Sequence, residues 1–260
     1  SKKKVLLAMN RTSIRFATAF VASLSLTVCA VRAQQVIEVL DKGAERAVHV
    51  SVPQDLGFAR SVLRNTDAVV SEANALRVGT SRTWLATWTE SRDGVAVRYT
   101  SASSDGGVTW FEARPTDFDL RLQFGRFDPL VGVPTPPLDL AAAPTSRLYV
   151  VQYAAPGLPA MRDMATAAGA QILSYLPNHA DVVSIAPEAV VALRALPFVR
   201  WVGSFHPAYK MFPEDLASLS RGALISGAAW NVVAVRGHDL ATKLRIAEAL
   251  APFGAEPFLP

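Results

Sequence analysis

The chain has 260 residues, half of them apolar, with one cysteine, a formal net charge of +4 and a mean hydropathy of +0.23. That length holds one sizeable core or two to three small ones, and a single cysteine excludes an internal disulfide framework. The pI of 9.4 points to nucleic acid only until the charges are located along the chain.

Residues 1–33 carry Lys2, Lys3, Lys4, Arg11 and Arg15, then the apolar run Phe16 to Ala30, then Val31-Arg32-Ala33. A basic start, an apolar stretch short for a bilayer and a small-residue cleavage site are the layout of a secretory signal peptide; a membrane anchor is the alternative. Export to the periplasm or the cell exterior is therefore expected, with membrane contact only through this segment. Six of the 26 basic residues and none of the 22 acidic ones lie there, leaving 20 against 22, a net of −2. No nucleic-acid partner is expected. Cys29 follows Leu26-Thr27-Val28, a weak resemblance to a lipoprotein box, and cleavage after Ala33 would remove the only thiol.

Residues 34–127 read as a small antiparallel β-rich domain. Val36 to Leu40 and Ala47 to Val52 are candidate short strands, and Ala75 to Val78, Thr83 to Thr87 and Val95 to Thr100 are rich in β-branched and aromatic residues. Asp93-Gly94 supplies a hairpin turn. Trp84, Trp88 and Trp110 are expected core aromatics, an aromatic sugar platform being the other reading.

Residues 128–146 hold Pro129, Pro134, Pro136, Pro137 and Pro144 with almost no charge. Proline at this density continues neither ladder nor helix, so the stretch is expected to be a linker and a domain boundary. Beyond it, Arg147 to Tyr153 reads as a strand, and Leu158, Met161, Ala165 and Ala168 recur at helical spacing up to Gly169, a natural left-handed cap. Strands Ala170 to Leu176 and Ala180 to Ile185 flank Pro177-Asn178. Pro187 opens a short helix to Ala195, and Val199 to Phe205 is a fourth strand. The order β-α-β-β-α-β over residues 147–212 is that of a ferredoxin-like module, and the fold class expected is α+β.

Residues 213–260 contain a partial echo. Trp230 to Val235 matches the first strand, Leu240, Leu244, Ala247 and Leu250 form a helical stripe, and Gly254-Ala255-Glu256 repeats Gly169-Ala170-Gln171. This would be the β-α-β first half of a second module, so the sequence is expected to be the start of a longer protein.

Five segments in order carry a family resemblance: Leu148 to Tyr153, Gly169 to Ile172, Tyr175 to Asn178, Val199 to Gly203 and His206 to Lys210. With Asn231-Val232, they resemble the N-terminal prosegments of bacterial subtilisin-like serine proteases, over the region from Arg147 onward. The resemblance implies a non-catalytic folding aid and inhibitor whose partner is a protease domain downstream in the same protein; that full-length protein would be a serine endopeptidase. The family's Asp-Ser/Thr-Gly, His-Gly-Thr and Gly-Thr-Ser motifs do not occur here, so no catalytic residue is assigned. His238-Asp239 precedes a helical stripe and reads as a helix start with Asp239 as N-cap.

A helix pair covers one face of a four-stranded sheet, yet both alternating sets of the first strand are apolar: Leu148 and Val150, and Tyr149, Val151 and Tyr153. Tyr149, Val151, Tyr153 and Trp201 are therefore the candidate protease-docking face. The alternative is that this face packs on the β-rich half or on the second repeat.

Ser103, Asp105, Gly107, Thr109 and Trp110 fit the pattern Ser-x-Asp-x-Gly-x-Thr-Trp, which resembles the Asp box on hairpin turns of sialidase-like propellers. Asp105 can accept backbone N–H groups, Gly107 can take an unusual φ and Trp110 can pack beneath, a structural role. One box is too little for a propeller. The second functional reading is thus an extracellular carbohydrate- or protein-binding module. The four histidines are scattered, no metal-ligand spacing occurs and no Gly-rich phosphate loop follows a strand, so neither metal nor cofactor is expected.

Overall fold

The computed structural model describes residues 36–42, 45–55, 57–221 and 239–253, within a compact unit that spans Gln34–Pro260. The expected signal peptide, Cys29, the strand at Trp230 to Val235, His238 and Gly254 to Glu256 lie outside the described residues. The fold is mixed α and β, with antiparallel sheets and few helices.

Strands β1 (Val36–Lys42), β2 (Glu45–Gln54) and β3 (Gly57–Asn65) form a three-stranded sheet in that order. Val48, Val50 and Val52 alternate along β2 and are fully buried, so one face is apolar and the other is not. The next sheet is β4 (Val69–Arg77), β5 (Trp84–Arg92), β6 (Val95–Ser103) and the two-residue β7 (Arg114–Pro115). Between β5 and β6, Asp93 at φ 50° and Gly94 at φ 78° make a two-residue turn whose twist suits a hairpin.

Strand β5 is apolar on both faces, and each face has its own partner. Trp84, Ala86 and Trp88 meet the β2 valines, whereas Leu85, with Val78 and Ala102, joins a second core made with the C-terminal half of the unit. The buried Glu90 on the first face is satisfied by Thr66 Oγ1 at 2.8 Å, Trp88 Nε1 at 2.9 Å and the Arg64 guanidinium at 3.3 Å, as a charge out of water must be.

A short hairpin, β8 (Leu120–Leu122) and β9 (Gly125–Phe127), precedes the proline-rich stretch. Then follow β10 (Leu148–Tyr153), α1 (Pro159–Ala167), β11 (Gln171–Leu176), β12 (Ala180–Ser184), α2 (Val190–Arg194) and β13 (Val199–Ser204). Their sheet has the order β11-β12-β10-β13, antiparallel throughout. Helix α1 starts on Pro159 and stops where Gly169 takes φ 98° and its N–H reaches Thr166 O. Helices α3 (Pro213–Ser220) and α4 (Leu240–Leu250) follow; Asp239 caps α4 by accepting from Thr242 N at 2.9 Å.

The main core lies between this sheet and the helices and continues into the β-rich half. It holds Tyr149, Val151, Tyr153, Met161, Ala165, Val183, Leu193 and Phe198 together with Val78, Leu85 and Ala102. Gly79 is pressed against Met164, whose Sδ would stand 2.7 Å from a Cβ placed there. The two halves expected to be separate domains therefore share buried surface.

Candidate functional site

The candidate docking face does not exist as an open surface. Tyr149 is 9% exposed and Val151 and Tyr153 are fully buried, because odd-numbered residues of β10 face the helices. Trp201 is on the other side of the sheet, paired with Gln152. Plain alternation puts it there, since its neighbour Val202 pairs with Val151; beyond Trp201 the register of β13 passes from Gln152↔Trp201 to Tyr153↔Val199 and leaves Arg200 as a bulge. A bulge puts one extra residue into a strand and re-aims its neighbours.

The second face is covered as well, by the β8–β9 hairpin. Leu120 is fully buried against Val150 and Ala180, with Phe127, Leu176, Trp201 and Phe205 around them. Trp201 lies flat over Gly203, where any Cβ would be 2.1 Å from the indole. A polar network then fastens the strap. Gln152, wholly buried, donates to Phe118 O at 2.7 Å and accepts from Arg200 Nη1 at 2.7 Å. Arg200 also forms a fork on Asp128, at 2.7 and 2.8 Å, and lies over the Phe118 ring. Asn178 Nδ2 donates to Asp119 O at 2.6 Å. Burial alone would raise the Asp128 carboxyl, but the hydrogen bonds it accepts from Arg200 and Leu130 N, with the Arg200 charge, outweigh burial and hold it below its ordinary range.

These residues, Gln152, Arg200, Asp128 and Phe118, were not singled out from the sequence. The available signal was Gln152, a lone amide in the strand Leu148 to Tyr153, which no purely apolar environment could satisfy.

On the helix side, Arg162 of α1 makes a two-point pair with the fully buried Asp181, both bonds at 2.9 Å. Burial, then Asp181, pushes the Tyr153 phenol up.

The 103–110 turn is built around Asp105. Its carboxylate accepts from Ser103 Oγ at 2.7 Å, Val108 N at 3.1 Å, Thr109 N at 3.0 Å and Thr109 Oγ1 at 2.5 Å. These bonds, led by Thr109, hold its pKa far below the ordinary range. Ser103 Oγ accepts from Gly107 N, and Trp110 Nε1 donates to Gly107 O at 3.0 Å. Gly107, at φ 90°, leaves only 2.1 Å between an added Cβ and Val52. The turn is thereby packed against β2, with Trp110 in both clusters of that interface. Trp88 is fully buried and Trp84 is 5% exposed, so neither offers a stacking platform.

His206 accepts from Ala142 N at 2.9 Å and meets Tyr209 edge-on, and His179 meets Phe118. Burial lowers both imidazole pKa values. Among the described residues, no three His, Cys, Asp or Glu side chains converge on a possible metal position, and no helix is long and apolar enough to cross a membrane.

A protein-family model described as a domain of unknown function (DUF8729) matches residues 121–206. That span begins inside the strap and ends just after β13, so it takes in most of the hairpin and the whole sheet it covers. No curated protein and no solved structure matches the chain.

Proposed function

We propose that the chain is a non-catalytic prosegment of an exported subtilisin-like serine protease, acting as folding aid and inhibitor of a protease domain downstream. The observation that carries the reading is the β10-α1-β11-β12-α2-β13 order with sheet order β11-β12-β10-β13, the arrangement of a ferredoxin-like split βαβ unit. Four of the five segments with prosegment resemblance fall within this piece of structure, and the fifth, His206 to Lys210, follows directly after β13 as a 3-10 turn. The leader pattern of residues 1–33 supports export.

The docking surface differs from the one read in the sequence, since both sheet faces are covered by the chain itself. Of the two outer strands, β11 combines exposed Gln171, Ser174 and Tyr175, the last at 61% exposure, with half-buried Ile172, Leu173 and Leu176. An outer strand offers unpaired backbone groups and a row of side chains to a partner. Docking through β11 leaves the strap in place.

The folding-aid role is tested by diluting an acid-unfolded subtilisin-like protease into buffer with equimolar chain. Recovery of protease activity, after the chain is digested, should rise several-fold over the unassisted reaction. Equal recovery with and without the chain would contradict the reading.

A further inference from the structure

At one end of the β-rich half, the β2–β3 turn, the β4–β5 connection and the 103–110 turn enclose a cleft of about 540 Å³, lined by Gln54, Asp55, Arg77, Arg82, Trp84 and Gly106 among others. Both guanidiniums are positioned by backbone carbonyls. Arg77 Nε donates to Ser81 O at 2.6 Å and its Nη2 to Thr80 O at 3.0 Å, while Arg82 Nη2 donates to Asp105 O at 2.6 Å. Carbonyls orient a guanidinium without cancelling its charge. Among the described residues neither arginine has a carboxylate within ion-pair distance, whereas Arg64, Arg92, Arg98, Arg121, Arg126, Arg162 and Arg200 all do. The nearby Asp105 carboxylate is fully engaged by its own turn.

The other polar groups narrow the ligand. Gln54 Nε2 is committed to Gly106 O at 2.6 Å, which leaves its Oε1 to accept, and Asp55 makes no hydrogen bond or ion pair among the described residues. Gly106, at φ 90°, stands where a Cβ would come within 3.5 Å of Arg82 Nε and 3.9 Å of Gln54 Oε1; its lack of a side chain keeps the space between them open. The site thus presents two cations beside two acceptors. A bare phosphate would meet the cations and be repelled by Asp55, with no hydroxyl to offer the acceptors. A carboxylate flanked by hydroxyls satisfies all four groups: the arginines take the carboxylate, and Asp55 and Gln54 take the hydroxyls.

We infer that this cleft is a binding site for a hydroxylated carboxylate of the sugar-acid class, a uronate free or within a polymer. The inference stands independently of any action on a protease.

The test is calorimetric titration of the full chain at low salt with galacturonate, trigalacturonate, galactose, acetate and phosphate. Binding of galacturonate at least tenfold tighter than galactose, acetate or phosphate is expected, with trigalacturonate tighter still if a polymer is the natural source and equal if the free acid is. Arg82→Gln should weaken galacturonate at least tenfold, and Arg147→Gln, an exposed arginine elsewhere, should not. Asp55→Asn, which removes no contact of the fold, keeps the proposal testable if Arg82→Gln unfolds; it should tighten phosphate and narrow the preference for galacturonate at least threefold. No galacturonate binding, equal binding of galactose or phosphate, or unchanged affinity in Arg82→Gln and Asp55→Asn would overturn the assignment.

Discussion

Gly107 shows how one residue can couple two sheets. Its φ of 90° and its approach to Val52 leave no room for a methyl group, so Gly107→Ala combines backbone strain with overpacking. A loss of about 2–4 kcal/mol is expected in chemical denaturation, whereas Gly94→Ala, at a turn with open space around it, should lose less. Titration is also a residue-scale matter. Asp105, Asp117 and Asp128 are held below their ordinary pKa by hydrogen bonds and arginines, and His179 and His206 are lowered by burial. In each case the unfolded chain binds the proton more readily, so stability is complete above the unfolded pKa and is lost as pH falls. Stability is therefore expected to be level near pH 8, to decline below about pH 6.5 as the unfolded histidines take protons, and to drop again below about pH 4 as the carboxylates do. A melting temperature that rises between pH 7 and pH 5 would contradict these assignments.

Among the elements, the β8–β9 strap decides how the sheet meets its surroundings. Asp128, Arg200 and Gln152 are joined in one network, so removing one partner leaves the others short of bonds. Arg200→Ala should cost about 2–3 kcal/mol, and Asp128→Asn about 1–2 kcal/mol. A double-mutant cycle should show coupling of about 1 kcal/mol or more. Additive losses would mean that the strap is held by Leu120 and Phe127 alone. This element was also the hardest to read. Its strands are three residues long, with the sequences Leu-Arg-Leu and Gly-Arg-Phe, and neither has a period that separates it from a loop. Strand β3 was missed for a related reason: Arg60, Arg64 and Asn65 dilute its alternation. The β5–β6 hairpin was legible because Asp93-Gly94 states its turn chemistry locally. The order of elements from β10 to β13 was legible too, since each carries its own period and stop signal.

For the molecule as a whole, the sequence showed that β10 is apolar on both sides but not what covers each side. Counting two helices against one sheet left a face open, and that face became the candidate docking site. The covers come from chain segments distant in sequence: Val78, Leu85 and Ala102 beyond the helices, and Leu120 and Phe127 on the strap face. The proline-rich residues 128–146 consequently join two parts of one packed unit, with Asp128 and Ala142 themselves tied to Arg200 and His206. Proline content said nothing about what lay at the ends of this stretch, which contains turns and a 3-10 helix at Leu138–Leu140. In the function proposed above, the surface that meets a protease is the β11 edge. The most direct measurement is a titration of an active subtilisin-like endopeptidase with the full chain, following hydrolysis of a small peptide substrate. The account predicts saturable, stoichiometric inhibition that Tyr175→Ala weakens at least tenfold while Arg147→Gln leaves it unchanged. Full peptidase activity at a tenfold excess of folded chain would contradict it.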